Sequence, residues 1–392
     1  MSENLTAVRA ATRSALFGAI AAQRDKLTAS SEADEELGTL SAAAVEALVA
    51  SGVLRMKLPR VLGGFEADLV TQMEVLEQLA MINPAVGWCA MVGATSLAVP
   101  GAFLPDAGIT RMFADGHIPR GAIVVTPTGI ATPVAGGYRL SGRWAFASGV
   151  RHAEWMVAIS RVERGPDSPT EMHFMVLPVS QCAILDTWQV LGLRGTGSCD
   201  IVIDNVFVSQ EMSFAVTDAP RRGGALYRIN LPAFVAYEHA GFALGIARRV
   251  LDGFVTLVQS KKRGYAPGGN HIAERGSVHR LIGHAEMRLR AARALAVEVN
   301  EQVWEKASAG QPISAQMQSA VRSAATYATE VSVEVVGDAF RNAGAGAIYA
   351  NHFMQRCLRD INVAAQHYMV ADTAYEQLGR ARLGYTDINP MG

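Results

Sequence analysis

Helical periodicity runs through most of this chain and breaks once, in the middle, and that interruption constrains the fold more than any other feature. From about residue 118 to 215, β-rich runs at 122–125, 138–140, 155–160, 172–177 and 201–208 are separated by Gly136-Gly137, Gly165-Pro166-Asp167 and Asp204-Asn205. Closely spaced strands divided by such turns predict an antiparallel barrel or sandwich. Before them, apolar residues recur at helical spacing, as in Val70, Met73, Leu76, Leu79 and Ala80. After them runs a longer amphipathic stripe: Val278, Leu281, Ile282, Ala285, Leu289, Ala292, Leu295 and Val299. Pro312 is expected to open a further helix, and Gly344 and Gly346 to interrupt the pattern before the last one. Several long helices with short connections predict a four-helix bundle, and residues 383–392 read as a loose tail. The expected class is α+β, mostly α: an N-terminal helical domain (1–116), a central β-domain (117–218) and a C-terminal helical bundle (219–392).

Composition narrows the partners. The chain has 392 residues, half of them hydrophobic and 18% charged, enough for large cores. A formal net charge of −1 argues against nucleic acid or an anionic membrane, which need a basic excess. The four cysteines (Cys89, Cys182, Cys199, Cys357) form no CxxC pair and read as reduced, buried thiols of a cytoplasmic protein. No metal site is expected, since His279 and His284 are badly spaced for a shared ion on a helix. The start of the chain reads as a helix rather than a secretory signal. The apolar stretch 84–104 contains Gly and Pro and reads as a buried helix, not a membrane span. The glycines of NAGAG (342–346) follow no strand, so no dinucleotide fingerprint is present.

The most informative local stretch is GRWAFASGVRHAEW (142–155). Phe146 and Ser148 are two apart, so strand geometry places both on one face, and Gly149 lets the backbone come close to whatever lies there. An aromatic edge with one hydroxyl suits a flat, partly polar ring system such as a flavin. An ordinary strand ending in a turn is the competing reading.

Four segments resemble the acyl-CoA dehydrogenase fold, and within it the two-component flavin-dependent monooxygenases. They are PRVLGGFE (59–66) with Glu74, Asn83-Pro84 and Gly87-Trp88; TPTG (126–129) leading through GGYRLSGRW (136–144) to FASG (146–149) and HAEW (152–155); GLRGTGS (192–198); and RDINVAAQH (359–367). The resemblance covers about residues 10–382. It implies reduced flavin, FMNH2 or FADH2, delivered by a separate NAD(P)H:flavin reductase, since this chain shows no nicotinamide site. It also implies a small aromatic or heteroaromatic substrate, hydroxylated through a C4a-hydroperoxyflavin that must be shielded from water. A homotetramer built by bundle-to-bundle packing is implied as well.

The resemblance assigns roles residue by residue. Ser148 is set near the flavin N5 and C4a, and Phe146 beside the ring. The turn Val125-Thr126-Pro127 holds the isoalloxazine through its backbone. Arg194 and Ser198 meet the flavin phosphates, with Gly195 and Gly197 permitting approach, and Arg263 reaches the phosphates of a neighbouring subunit; surface solvation is the competing reading of Arg194, and a solvated helix end that of the basic run 261–263. His367 is the catalytic histidine, taking a phenolic or indolic proton or donating one to the distal oxygen. Trp88 lines the substrate pocket or packs, Trp155 packs, and His152 either supports the site from behind its contacting residues or is structural. Two alternatives stay open: an acyl-CoA dehydrogenase with bound FAD and Glu238 as its base, and an idle family member acting as a binding or scaffold protein. Against the first, the neighbourhood Gln366-His367-Tyr368 carries no carboxylate.

Overall fold

The computed structural model describes residues 5–165, 169–262 and 271–392. Among these residues the helices are α1 (Leu5–Ala29), α2 (Ser31–Leu37), α3 (Ala42–Ala50), α4 (Leu69–Ile82), α5 (Pro84–Phe103), α6 (Asp106–Met112), α7 (Ala236–Ser260), α8 (Gly276–Ser308), α9 (Ala315–Ala343), α10 (Phe353–Ala364) and α11 (Thr373–Arg382). The strands, all between α6 and α7, are β1 (Gly121–Val134), β2 (Gly137–Ala147), β3 (Trp155–Val162), β4 (Glu171–Pro178), β5 (Ala183–Leu185), β6 (Cys199–Ser209) and β7 (Ser213–Ala215). The order helices, strands, helices is the one expected, and the fold is mostly α.

The chain forms two compact units, Met1–Ala67 with Trp88–Val190 and Arg194–Tyr227, and Asp68–Gly87 with Leu191–Leu193 and Arg228–Gly392. These cut across the three segments expected from sequence, because α4 groups with the C-terminal helices. Gly241 and Gly245 of α7 lie where a Cβ would strike the backbone of Met73 and Glu77 on α4. Arg293 of α8 reaches back to Glu74 and Glu77 at 2.7 and 2.9 Å.

The first unit is built on one seven-stranded sheet in the order β5-β6-β2-β1-β3-β4-β7. The expected antiparallel pattern holds except for β1 and β3, which run parallel, and the outer strands β5 and β7 are not paired with each other. Trp144 of β2 anchors the sheet, fully buried with its Nε1–H donating to the Ile159 carbonyl at 2.9 Å. Its ring passes where a Cβ on Gly129 would stand, so TPTG must end in glycine. Close approach, not turn formation, is the reason, since residues 125–127 lie inside β1. There the pairing with β3 slips between Val124 and Gly129, so the expected turn is a bulged stretch of continuous strand.

In the second unit α4 starts at Asp68, whose side chain accepts from Thr71 N–H at 3.0 Å. α9 starts not at Pro312 but after Ser314, whose Oγ caps Met317 N–H at 3.2 Å. The tail beyond α11 is held, contrary to expectation. The buried Arg322 guanidinium donates to the carbonyls of Pro390 and Gly392 at 3.1 and 2.6 Å, and to that of Tyr368 at 2.8 Å. Among the described residues one helix, Pro84–Phe103, is long and apolar enough to cross a membrane, and 83% of its apolar window is buried within the protein.

Candidate active site

In the first unit the site begins where β2 stops pairing regularly. Trp144 faces Ile201 on β6 and Ala147 faces Cys199, so β2 carries an extra residue there. Such a bulge re-aims a side chain. Phe146 occupies it in the left-handed region, at φ 64°. Its ring is 69% exposed and meets Trp188 edge-on at 6.2 Å. Ser148 lies just past the strand and is 6% exposed. The expectation that Phe146 and Ser148 share a strand face is therefore corrected: the bulge ends the alternation between them.

Ser148 sits in a row of hydroxyls. Its Oγ accepts from Trp88 Nε1–H at 3.1 Å and lies 2.7 Å from Ser198 Oγ, which is 2.7 Å from Thr196 Oγ1. Gly149 N–H donates to the Thr196 carbonyl at 2.9 Å, pinning the GLRGTGS loop to the end of FASG. Of the residues expected at the site, Trp88, Ser148 and Ser198 come together here. Thr196 was missed, although its place between Gly195 and Gly197 and two residues before Ser198 was the available signal. His152 closes the same turn. Its Nδ1 is buried with no partner among the described residues, and burial, with Arg120 adding to it, pushes its pKa down to about 4. Thr126 is exposed on the bulged part of β1, and the Arg194 side chain is exposed to solvent. Arg263 lies outside the described residues.

The second unit holds the imidazole. His367 does not lie within a helix: it follows α10 and caps a short turn, its Nδ1 accepting from Met369 N–H at 3.3 Å. That bond leaves the neutral ring's proton on Nε2. Burial pushes the His367 pKa down to about 4, so at neutral pH the ring is uncharged. It stacks on His239 of α7 with centroids 4.4 Å apart, and Tyr368 lies beside it at 5.3 Å. His239 was missed. Its signal was its place beside Glu238 in AYEHA, where Glu238, the alternative base, is buried in the first turn of α7.

The Arg359-Asp360 pair has a structural task in this unit. Asp360 Oδ1 accepts from Leu193 N–H at 2.6 Å, and Arg359 donates to the Leu191 carbonyl at 2.7 Å. A Cβ on Gly192 would collide with the Arg359 backbone carbonyl, which explains glycine at the head of GLRGTGS. A cavity of about 640 Å³ lined by Tyr138, His173, Phe214 and Arg221 lies at the start of β2, remote from Ser148 just past its end. No group of three or more His, Cys, Asp or Glu side chains among the described residues is placed to hold a metal.

The donor set at the strand end matches what a flat, partly polar ring asks for. Ser148 spends two of its three hydrogen bonds on the protein and keeps one, beside an aromatic ring turned outwards by a bulge. A succession of helices, a mixed sheet and long helices, with such a strand end, is the order of a flavin-dependent oxygenase of the acyl-CoA dehydrogenase fold. Residues 237–372 match the family model described as "Acyl-CoA dehydrogenase, C-terminal domain". The indole-3-acetate monooxygenase of Pseudomonas putida is 30% identical over 340 residues, covering 87% of this chain and 86% of that one. The oxygenase component of an FADH2-dependent resorcinol hydroxylase from a Rhizobium species is 26% identical, covering 96% and 95%. The structure of XiaF from Streptomyces, solved with FADH2 and glycerol, superposes with a TM-score of 0.88 at 21% identity, covering 99% and 100%. The chain belongs to the flavin-dependent monooxygenases of the acyl-CoA dehydrogenase fold.

Proposed function

We propose that this protein is the oxygenase component of a two-component system, taking FMNH2 or FADH2 from a separate NAD(P)H:flavin reductase to hydroxylate an aromatic or heteroaromatic small molecule in the cytoplasm, as a homotetramer. The observation that carries this reading is the buried Ser148 hydroxyl, held by Trp88 and Ser198 with one hydrogen bond unspent. The named activities of the relatives, on indole-3-acetate and on resorcinol, support the aromatic substrate class. Bound reduced flavin supplies the two electrons that activate dioxygen. This chain's part is to hold and to exclude. Ser148 offers its remaining hydrogen bond to the flavin ring near N5, and Phe146 covers a ring edge. His367 acts on the substrate hydroxyl or on oxygen-derived atoms. With Nδ1 engaged and the pKa held near 4, it acts as a donor rather than as a base at neutral pH.

The test is turnover with chemically reduced FMN or FAD, 18O2 and a panel of phenols and indoles. Incorporation of one labelled oxygen atom into an aromatic product is expected. Hydrogen peroxide alone across phenols, indoles and thiophenes would refute the hydroxylase reading. Bleaching of bound oxidised FAD by an acyl-CoA would replace it with dehydrogenation through Glu238.

A further inference from the structure

A serine hydroxyl has one proton to donate and two lone pairs with which to accept. At Ser148 one lone pair is taken by Trp88 Nε1–H at 3.1 Å, and an indole N–H only donates. Ser198 Oγ at 2.7 Å takes a second position, in either direction. One hydrogen bond remains, and the direction of the Ser148–Ser198 bond fixes its sign. If Ser198 donates, both lone pairs of Ser148 are occupied and it has only a proton to offer. If Ser148 donates, only a lone pair is left. Thr196 Oγ1, 2.7 Å from Ser198 Oγ, is itself a hydroxyl, so Ser198 can exchange roles with it as the row reverses. Without the indole N–H, Ser148 would keep a spare lone pair in either arrangement.

A flavin asks for both signs at N5. The oxidised ring presents N5 as an acceptor, whereas the reduced ring presents N5–H as a donor. We infer that Trp88 is a positioning residue that makes Ser148 single-valued, so that the Thr196–Ser198–Ser148 row reverses between oxidised and reduced flavin and Trp88 sets how the protein discriminates between them. This rests on the reading that Ser148 faces the flavin N5. Donation from the indole also strengthens the Ser148 proton as a donor, because hydrogen bonds in a chain polarise one another. Loss of Trp88 Nε1–H therefore weakens the oxidised complex and releases the reduced one from the need to reverse the row.

The experiment measures the dissociation constants of oxidised and of anaerobically reduced FMN and FAD, with no turnover, in wild type, Trp88→Phe, Ser148→Ala and the double variant. In Trp88→Phe the ratio of oxidised to reduced constants is expected to rise about three- to tenfold, the worth of one neutral hydrogen bond. In the Ser148→Ala background the same substitution is expected to leave the ratio unchanged, because Trp88 acts only through that hydroxyl. A packing role would weaken both forms equally, and an unchanged ratio in Trp88→Phe overturns the inference. So does a shift that persists without Ser148. If Ser148→Ala itself leaves the ratio unchanged, the placement of Ser148 at the flavin fails too. If it moves the ratio and Trp88→Phe does not, only the role of Trp88 fails. A second readout keeps every native side chain: with 15N-indole-labelled tryptophan, the Trp88 Nε1–H resonance is expected to move between the oxidised and reduced complexes. In Ser148→Ala it is expected to stay put; a resonance that ignores the redox state of the flavin in wild type counts against the inference.

Discussion

The hydroxyl row of the first unit and the imidazole pair of the second solve the same problem in opposite ways. Both keep a polar group out of bulk water beside apolar packing. The row does it by mutual satisfaction: Trp88, Ser148, Ser198 and Thr196 bond one another within 3.1 Å and carry no charge. The pair does it by suppressing charge. His367 stacks on His239 at 4.4 Å, gives its Nδ1 to Met369, and burial drives its pKa down to about 4. A neutral hydroxyl can reverse its bonds at little cost, whereas a neutral imidazole with one nitrogen engaged is committed to donating through the other. The first arrangement suits a partner that changes its own donor pattern, and the second suits a proton delivered one way.

That contrast breaks most sharply at His367. His367→Ala is expected to lower hydroxylation by about a hundredfold or more, the usual worth of a positioned acid–base group, while the dissociation constant of reduced flavin stays within about threefold. Equal loss of both would make the histidine a structural residue. Ser148→Ala is expected to act on coupling rather than on substrate, raising hydrogen peroxide formed per product by about tenfold, one hydrogen bond to the flavin edge. An unchanged ratio removes Ser148 from the chemistry. Gly192→Ala tests the scaffold of the second unit. A methyl group driven against the Arg359 carbonyl is expected to cost about 1–3 kcal/mol in denaturant unfolding. His239→Phe keeps a flat ring against His367 and removes the nitrogens, so a change in activity under about threefold means stacking alone is used, and a larger loss means the His239 nitrogens matter.

The smallest effect is one of pH. His152 and His367 are held down to about 4 against an ordinary value of 6.5. Between those values the unfolded chain binds protons that the folded chain refuses, so these groups make stability fall as pH drops from 6.5 towards 4 and contribute no slope above it. Thermal unfolding across that window is expected to show a falling midpoint. His152→Gln and His367→Gln are each expected to flatten the slope, and an unaltered slope in both would mean that neither ring is protected in the folded state.

Sequence reading found the elements that advertise themselves through period. The long amphipathic stripe became α8, the apolar stretch became α5, and five of the seven strands grew from runs visible in the chain. It missed β5 and β7, each three residues long, because so short a strand has no period to read. It put Phe146 and Ser148 on one face because alternation assumes a regular ladder, and a single bulge against β6 voids that assumption. Motif wording pointed to Ser148, Ser198 and His367 but passed over Thr196, two residues from Ser198, and His239, whose stacking partner His367 is far away in sequence.

By itself, then, the order of residues determined the succession of helices, strands and helices, and the glycines and caps that start and stop them, because those depend on local sterics and nearby hydrogen bonds. Only the tertiary structure decided that α4 belongs with the C-terminal helices, that an indole N–H donates to one serine, and that a histidine rests on another with its charge suppressed. Those outcomes depend on burial and on contacts between distant residues, and neither quantity exists until the chain has folded.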